Sequence, residues 1–149
     1  MNIEEEIKQS TFKSEEHKAI VNLIFTHNWL LGKMTPLFKD LEITMSQYNI
    51  LRILRGQFPG QANIAMIKER MLDKQPDISR LLDRLIQKKL VKKKADASDL
   101  RKCWFLITEK GLSWLEKLDP DINNFSGVMK NLSPAEKKSL NGLLDKMRG

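Results

Sequence analysis

Residues 78–108 constrain the fold most. Ile78, Leu81, Leu82, Leu85 and Ile86 recur at helical spacing, and the opposite face carries Asp77, Arg80, Arg84, Gln87 and Lys88. That is the two-sided pattern of a helix with one face on a core. Two strand-like segments follow at once. Residues 90–95 are Lys-rich and weak in β propensity, whereas residues 103–108 hold Trp104, Phe105 and Ile107, which favour a strand. The polar loop 96–102 between them makes a long hairpin.

Helices are expected on either side. Upstream, residues 14–41 place Ile20, Ile24, His27, Leu31, Met34, Phe38 and Leu41 at alternating steps of four and three, a seam that packs on another helix. Pro36 lacks an amide donor and clashes with the preceding turn, so a kink or a fresh start is expected there. Thr44 and Gln47 have capping-box spacing and open a helix carrying Tyr48, Leu51 and Leu54, with Gly56 as its stop. A short helix over 63–71 turns Ile64, Ile67 and Met71 inward, and Asp73 or Gln75 is expected to cap the next one. Downstream, Thr108 caps a helix bearing Leu112, Leu115 and Leu118, and Asp119-Pro120 reads as the cap of a restart. Ser133, Pro134 and Glu136 form a capping box that opens a helix with Leu140, Leu143, Leu144 and Met147 on one face.

Charge is concentrated where the central pattern sits. Residues 68–102 hold 12 Lys/Arg against 6 Asp/Glu, which accounts for +6 of the chain's net +7. A near-neutral body with one basic segment is the footprint of a nucleic-acid surface, with a solvated charged face as the bland reading. No stretch approaches the about 20 apolar residues of a membrane span. Glu4, Glu5 and Glu6 carry the wrong charge for a signal or transit peptide, and the single Cys103 allows no intrachain disulfide, so a cytoplasmic protein is expected. Nothing points to an enzyme: there is no Gly-rich phosphate loop, no usable Ser/His/Asp order and no metal motif. His17 and His27 are ten residues apart with no acidic or Cys cluster, so neither a metal nor another cofactor is expected.

From residue 43 to residue 111 the chain resembles the MarR family of bacterial transcription regulators. The resemblance rests on 44–54 as the opening helix and on Ile78-Ser79-Arg80-Leu81-Leu82-Asp83-Arg84-Leu85 as the recognition helix. It continues through Lys89-Leu90-Val91 into the wing, Asp99-Leu100-Arg101 at its tip, and Leu106-Ile107-Thr108-Glu109-Lys110-Gly111 after it. Two departures stand out: Leu100 replaces an Arg in the family's Asp-Arg-Arg wing, and Lys89 stands at its usual glycine.

The resemblance implies a mainly α fold: a winged helix-turn-helix with a two-stranded β-wing and N- and C-terminal dimerisation helices. The expected organisation is 1–42 dimerisation, 43–111 DNA binding and 112–149 dimerisation. The expected function is sequence-specific binding of a pseudo-palindromic operator in double-stranded DNA by a homodimeric repressor, tuned by a small-molecule effector. A winged helix used for protein contact is the alternative. The expected contacts from the recognition helix are Gln75, Asp77, Ser79, Arg80, Arg84 and Lys88. Those from the wing are Lys92, Lys94, Asp99, Arg101 and Lys102, with Asp99 orienting the loop and Arg101 reaching the minor groove. Phe25, Trp29 and Tyr48 are candidates for an effector pocket, against the commoner role of aromatics at helical spacing as core. Cys103 reads as a structural thiol, since a thiol on a strand between Lys102 and Trp104 is usually inert or mildly reactive.

Overall fold

A computed structural model describes residues 2–74, 76–99 and 101–149. The chain forms two compact units, residues 1–45 and 46–149.

The first unit is helical. Helix α1 (Ile3–Ile7) is opened by a capping box in which the Glu5 amide donates to Asn2 Oδ1 and the Asn2 amide to Glu5 Oε2. An ion pair of 2.5 Å between Lys18 and Glu4 ties it to α2 (Glu15–Met34), which Ser14 caps. The α-helical hydrogen-bond pattern stops at Met34, where Thr35–Leu41 continues as a 3-10 helix with Pro36 in its first turn. This is the expected break, caused by the missing amide of Pro36. No residue of α2 is buried, and Ile20 and Ile24 are more than half exposed.

The second unit is built on α3 (Met45–Arg55), α4 (Ile64–Arg70), α5 (Ile78–Gln87), β1 (Val91–Ala95), β2 (Cys103–Ile107), α6 (Glu109–Phe125) and α7 (Pro134–Arg148). Its core takes Ile50, Leu51 and Leu54 from α3, Ile67 from α4, Leu82 and Leu85 from α5, Leu90 and Val91 at the wing root, and Leu115 from α6. Removing such side chains from water is the main favourable term in folding. Strands β1 and β2 pair antiparallel, with Val91 opposite Ile107 and Ala95 opposite Cys103. The free edge of β2 is covered at one point by Ala62, whose amide donates to the Phe105 carbonyl at 3.0 Å and whose carbonyl accepts from the Phe105 amide at 2.8 Å.

Three local expectations are corrected. The cap of α5 is Asp77, whose carboxylate accepts from the Arg80 amide at 3.1 Å, and not Asp73; Gln75 lies outside the described residues. Asp77 wins because it directly precedes the first helical residue, where its oxygen reaches the third free amide. Helix α6 runs through Pro120 without restarting. Asp119 caps nothing there; its carboxylate takes a two-pronged hydrogen bond from Arg55 of α3, at 2.8 and 3.1 Å. Ile64 is exposed, while Ile67 and Met71 are buried as expected. The caps at Thr108 and Ser133 form as their spacing requires.

Candidate nucleic-acid interface

Helix α5 buries Ile78, Leu82 and Leu85 and leaves Asp77, Ser79, Arg80, Asp83, Arg84 and Gln87 exposed. Arg80 and Arg84 lie one turn apart on that outer face, and Lys88 follows as the half-buried C-cap. The helix ends in a Schellman motif: the Lys89 amide donates to Ile86 O at 2.8 Å and the Leu90 amide to Leu85 O at 2.9 Å. Lys89 adopts φ 60° to close it, the left-handed conformation that glycine takes without steric cost. The ammonium of Lys110 donates to the Lys88 carbonyl at 2.9 Å and sits 5.4 Å from the centre of the Trp114 ring. Helix α5 is therefore fixed at both ends, by Asp77 and by the wing root.

Lysines alternate across β1. Lys92 and Lys94 stand opposite Leu106 and Trp104 on one face of the hairpin. Lys93 shares the other face with the buried Val91, Phe105 and Ile107. That face looks into a cleft of about 460 Å³ between α5, the start of α4 and the wing. Ser79 and Asp83 line it from α5, Asn63 and Ile64 from α4, and Lys93 and Arg101 from the wing. Lys102 and the half-buried Cys103 thiol also border it.

The wing tip is a network. Asp96 Oδ1 accepts from the Ser98 amide at 2.7 Å, the Ser98 hydroxyl at 2.5 Å and the Asp99 amide at 3.2 Å; its Oδ2 accepts from Trp104 Nε1 at 2.7 Å. These donors hold the Asp96 carboxyl far below the usual carboxylate range, the Ser98 hydroxyl first and the Trp104 indole next. Asp99 in turn accepts from the Arg101 amide at 3.0 Å and pairs with the Arg101 guanidinium at 3.3 Å. The Arg101 side chain is 92% exposed, so its head projects from the tip. Leu100 lies outside the described residues.

The structure thus brings Ser79, Arg101 and Lys102 to one cleft between α5 and the wing, with Arg80 and Arg84 exposed on α5. Lys92 and Lys94 lie on the opposite face of the hairpin from Lys93. Sequence reasoning gave no part in the site to Asn63 or Asp96 and did not place Lys93 on the face that lines the cleft. Only Asp96 carried a legible signal, an Asp two residues before Ser in a polar loop, the setting of an Asx turn. Phe25 and Trp29 belong to the first unit, where Trp29 is 43% exposed. Tyr48 is a buried residue of the second, with Arg52 over its ring at 5.9 Å and its hydroxyl pKa raised by burial.

A helix-turn-helix whose second helix presents a basic outer face, followed at once by a basic hairpin, defines the winged helix class. Residues 43–103 match the model of the MarR family, and the chain carries a MarR-family domain. Solved structures share the fold along nearly the whole chain. BpsR of Bordetella bronchiseptica, whose DNA binding is regulated by 6-hydroxynicotinic acid, has 22% identity over 93% of this chain and 98% of its own, with a TM-score of 0.79. A MarR transcription factor of Planctomyces limnophilus has 26% identity over 93% and 98%, with a TM-score of 0.70. AbsC of Streptomyces coelicolor, a MarR family transcriptional regulator, has 18% identity over 93% and 96%, with a TM-score of 0.81.

Proposed function

We propose that this MarR-family protein is a repressor that binds a pseudo-palindromic operator as a homodimer. The observation that carries the reading is the joint placement of Arg80 and Arg84 on the exposed face of a doubly anchored α5 and of Arg101 at an ordered wing tip. A major groove about 12 Å wide admits one such helix, and Arg grips guanine through two parallel hydrogen bonds. Arg101 reaches the adjacent minor groove, whose negative potential deepens where A·T tracts narrow it. Lys102 and the lysines of one face of the hairpin supply phosphate contacts, since Lys93 points away from Lys92 and Lys94. Ser79 and Asp77 stand beside the helix arginines, with Asp77 occupied first by its cap.

Self-association is supported by the apolar side chains left in water: Ile20, Ile24 and Trp29 on α2, and Leu143 and Met147 on α7. An isologous dimer presents α5 twice, so half-sites fall about one DNA turn apart. Small-molecule control is proposed from the likeness to BpsR. Work at the cytoplasmic chromosome follows from the same reading.

The test is titration of duplex DNA at several salt concentrations. Each neutralised phosphate contributes about −0.9 to the slope of log affinity against log salt. A steep slope with preference for one sequence supports the reading. Binding indifferent to salt or to sequence returns the basic face to the protein-contact alternative.

A further inference from the structure

None of the described residues of the wing tip, 96–99 and 101–102, is fully buried. Ala97, Ser98, Arg101 and Lys102 are exposed, and the loop is closed by two backbone hydrogen bonds, from the Asp96 amide to Lys102 O at 3.0 Å and from the Lys102 amide to Asp99 O at 2.9 Å. What remains is a relay of side chains. Trp104 of β2 and Ser98 grip the Asp96 carboxylate, that carboxylate holds the Asp99 amide, and the Asp99 carboxylate holds Arg101. All four donors to Asp96 are neutral, and the indole is the one that comes from the sheet and not from the loop itself. It ties the tip to β2.

We infer that Asp96 and Trp104 are positioning residues for minor-groove recognition: their hydrogen bond aims the loop, so that Arg101 meets DNA already ordered. This rests on the DNA reading above and deepens it. Without the anchor, several residues lose their fixed dihedrals, and the ordering cost falls on binding. The affected quantity is discrimination between A·T-rich and G·C-rich flanks, because that is what Arg101 reads. Contacts of α5 with the core of the site are untouched.

Asp96→Asn provides the test, because it preserves shape while replacing one acceptor with an –NH2 group. Either way the amide lies, a donor then faces a donor, the indole N–H on one side or the loop amides on the other. Trp104→Phe removes the indole N–H and with it one of those conflicts. The measurements are the affinity ratio for two duplexes with the same core and different flanks, amide exchange at Ser98 and Asp99, and the thermal midpoint. Asp96→Asn is expected to cut the flank ratio about tenfold, to speed exchange at both amides and to keep the core preference, with a modest fall in the midpoint. The double variant Asp96→Asn/Trp104→Phe lacks the same anchor, so it is expected to discriminate no worse than Asp96→Asn alone and still well below the wild type. A wild-type flank ratio that survives Asp96→Asn, or a double variant that regains the wild-type ratio or falls well below the single, overturns this inference alone. Flank indifference already in the wild type overturns the minor-groove reading together with it.

Discussion

Gly111 is the position where one methyl group has the most calculable effect. It sits in the first turn of α6, its amide donating to the Thr108 cap at 3.0 Å. A Cβ built there lies 2.5 Å from the Leu90 carbonyl oxygen and 2.7 Å from Ile107 Cγ1. Ile107 can shift, but the carbonyl is backbone at the wing root and already accepts the Thr108 amide at 3.0 Å. Helix propensity alone favours Ala over Gly by about 1 kcal/mol. Overpacking against fixed backbone costs about 1–3 kcal/mol, and disturbing the Thr108 bond adds about 1 kcal/mol. Gly111→Ala is therefore expected to destabilise by about 1–3 kcal/mol net. Gly142 in α7 supplies the control, since nothing lies within 4 Å of its added Cβ and it falls off the apolar stripe of Leu140, Leu143, Leu144 and Met147. Gly142→Ala is expected to stabilise by about 0.5–1 kcal/mol. Urea unfolding at one fixed protein concentration reads both, because an associating protein shows concentration-dependent stability. If Gly111→Ala is as stable as the wild type or more so, the close packing of α6 against the wing root is refuted.

Two other outcomes are expected. Lys89→Gly relieves a left-handed conformation that costs a side chain about 1–2 kcal/mol, less about 0.4–1 kcal/mol of unfolded-state entropy; a modest rise in the urea midpoint is expected, and a fall contradicts the strain. Asp96, its folded pKa depressed, contributes stability that is complete above the unfolded value and is lost only as pH falls through the lower folded value. The Trp104 indole N–H resonance should therefore hold its position down to about pH 4, where free Asp is half protonated. A titration of that resonance centred at an ordinary Asp pKa contradicts the network.

The helices and the hairpin were legible because burial writes period into sequence. Ile78, Leu82 and Leu85 announced α5, and Trp104, Phe105 and Ile107 announced β2. Caps with a single plausible donor set, Thr108 and Ser133, were legible too. Where several acidic residues competed, as at Asp73 and Asp77, spacing alone did not decide which reached the free amides. Pro120 misled because helix α6 continues through it, and Asp119 found its partner 64 residues away in Arg55. The wing tip was only half legible. Asp99 with Arg101 follows from resemblance, but the grip of Trp104 on Asp96 joins residues on opposite sides of a loop. Similarly, Lys93 could be placed beside Ser79 and Asp83 only once strand register was known.

The central claim is that α5 and the wing read sequence by different means. The direct measurement is selection of bound duplexes from a random pool by the wild type and by Arg80→Ala, Arg84→Ala and Arg101→Ala. The account expects a twofold-symmetric site with half-sites about one turn apart. It expects Arg80→Ala or Arg84→Ala to relax one or two base pairs within each half-site at a cost of about 1–3 kcal/mol. It expects Arg101→Ala to erase only the A·T preference of the flanks. Four identical site preferences, differing only in affinity, would contradict it.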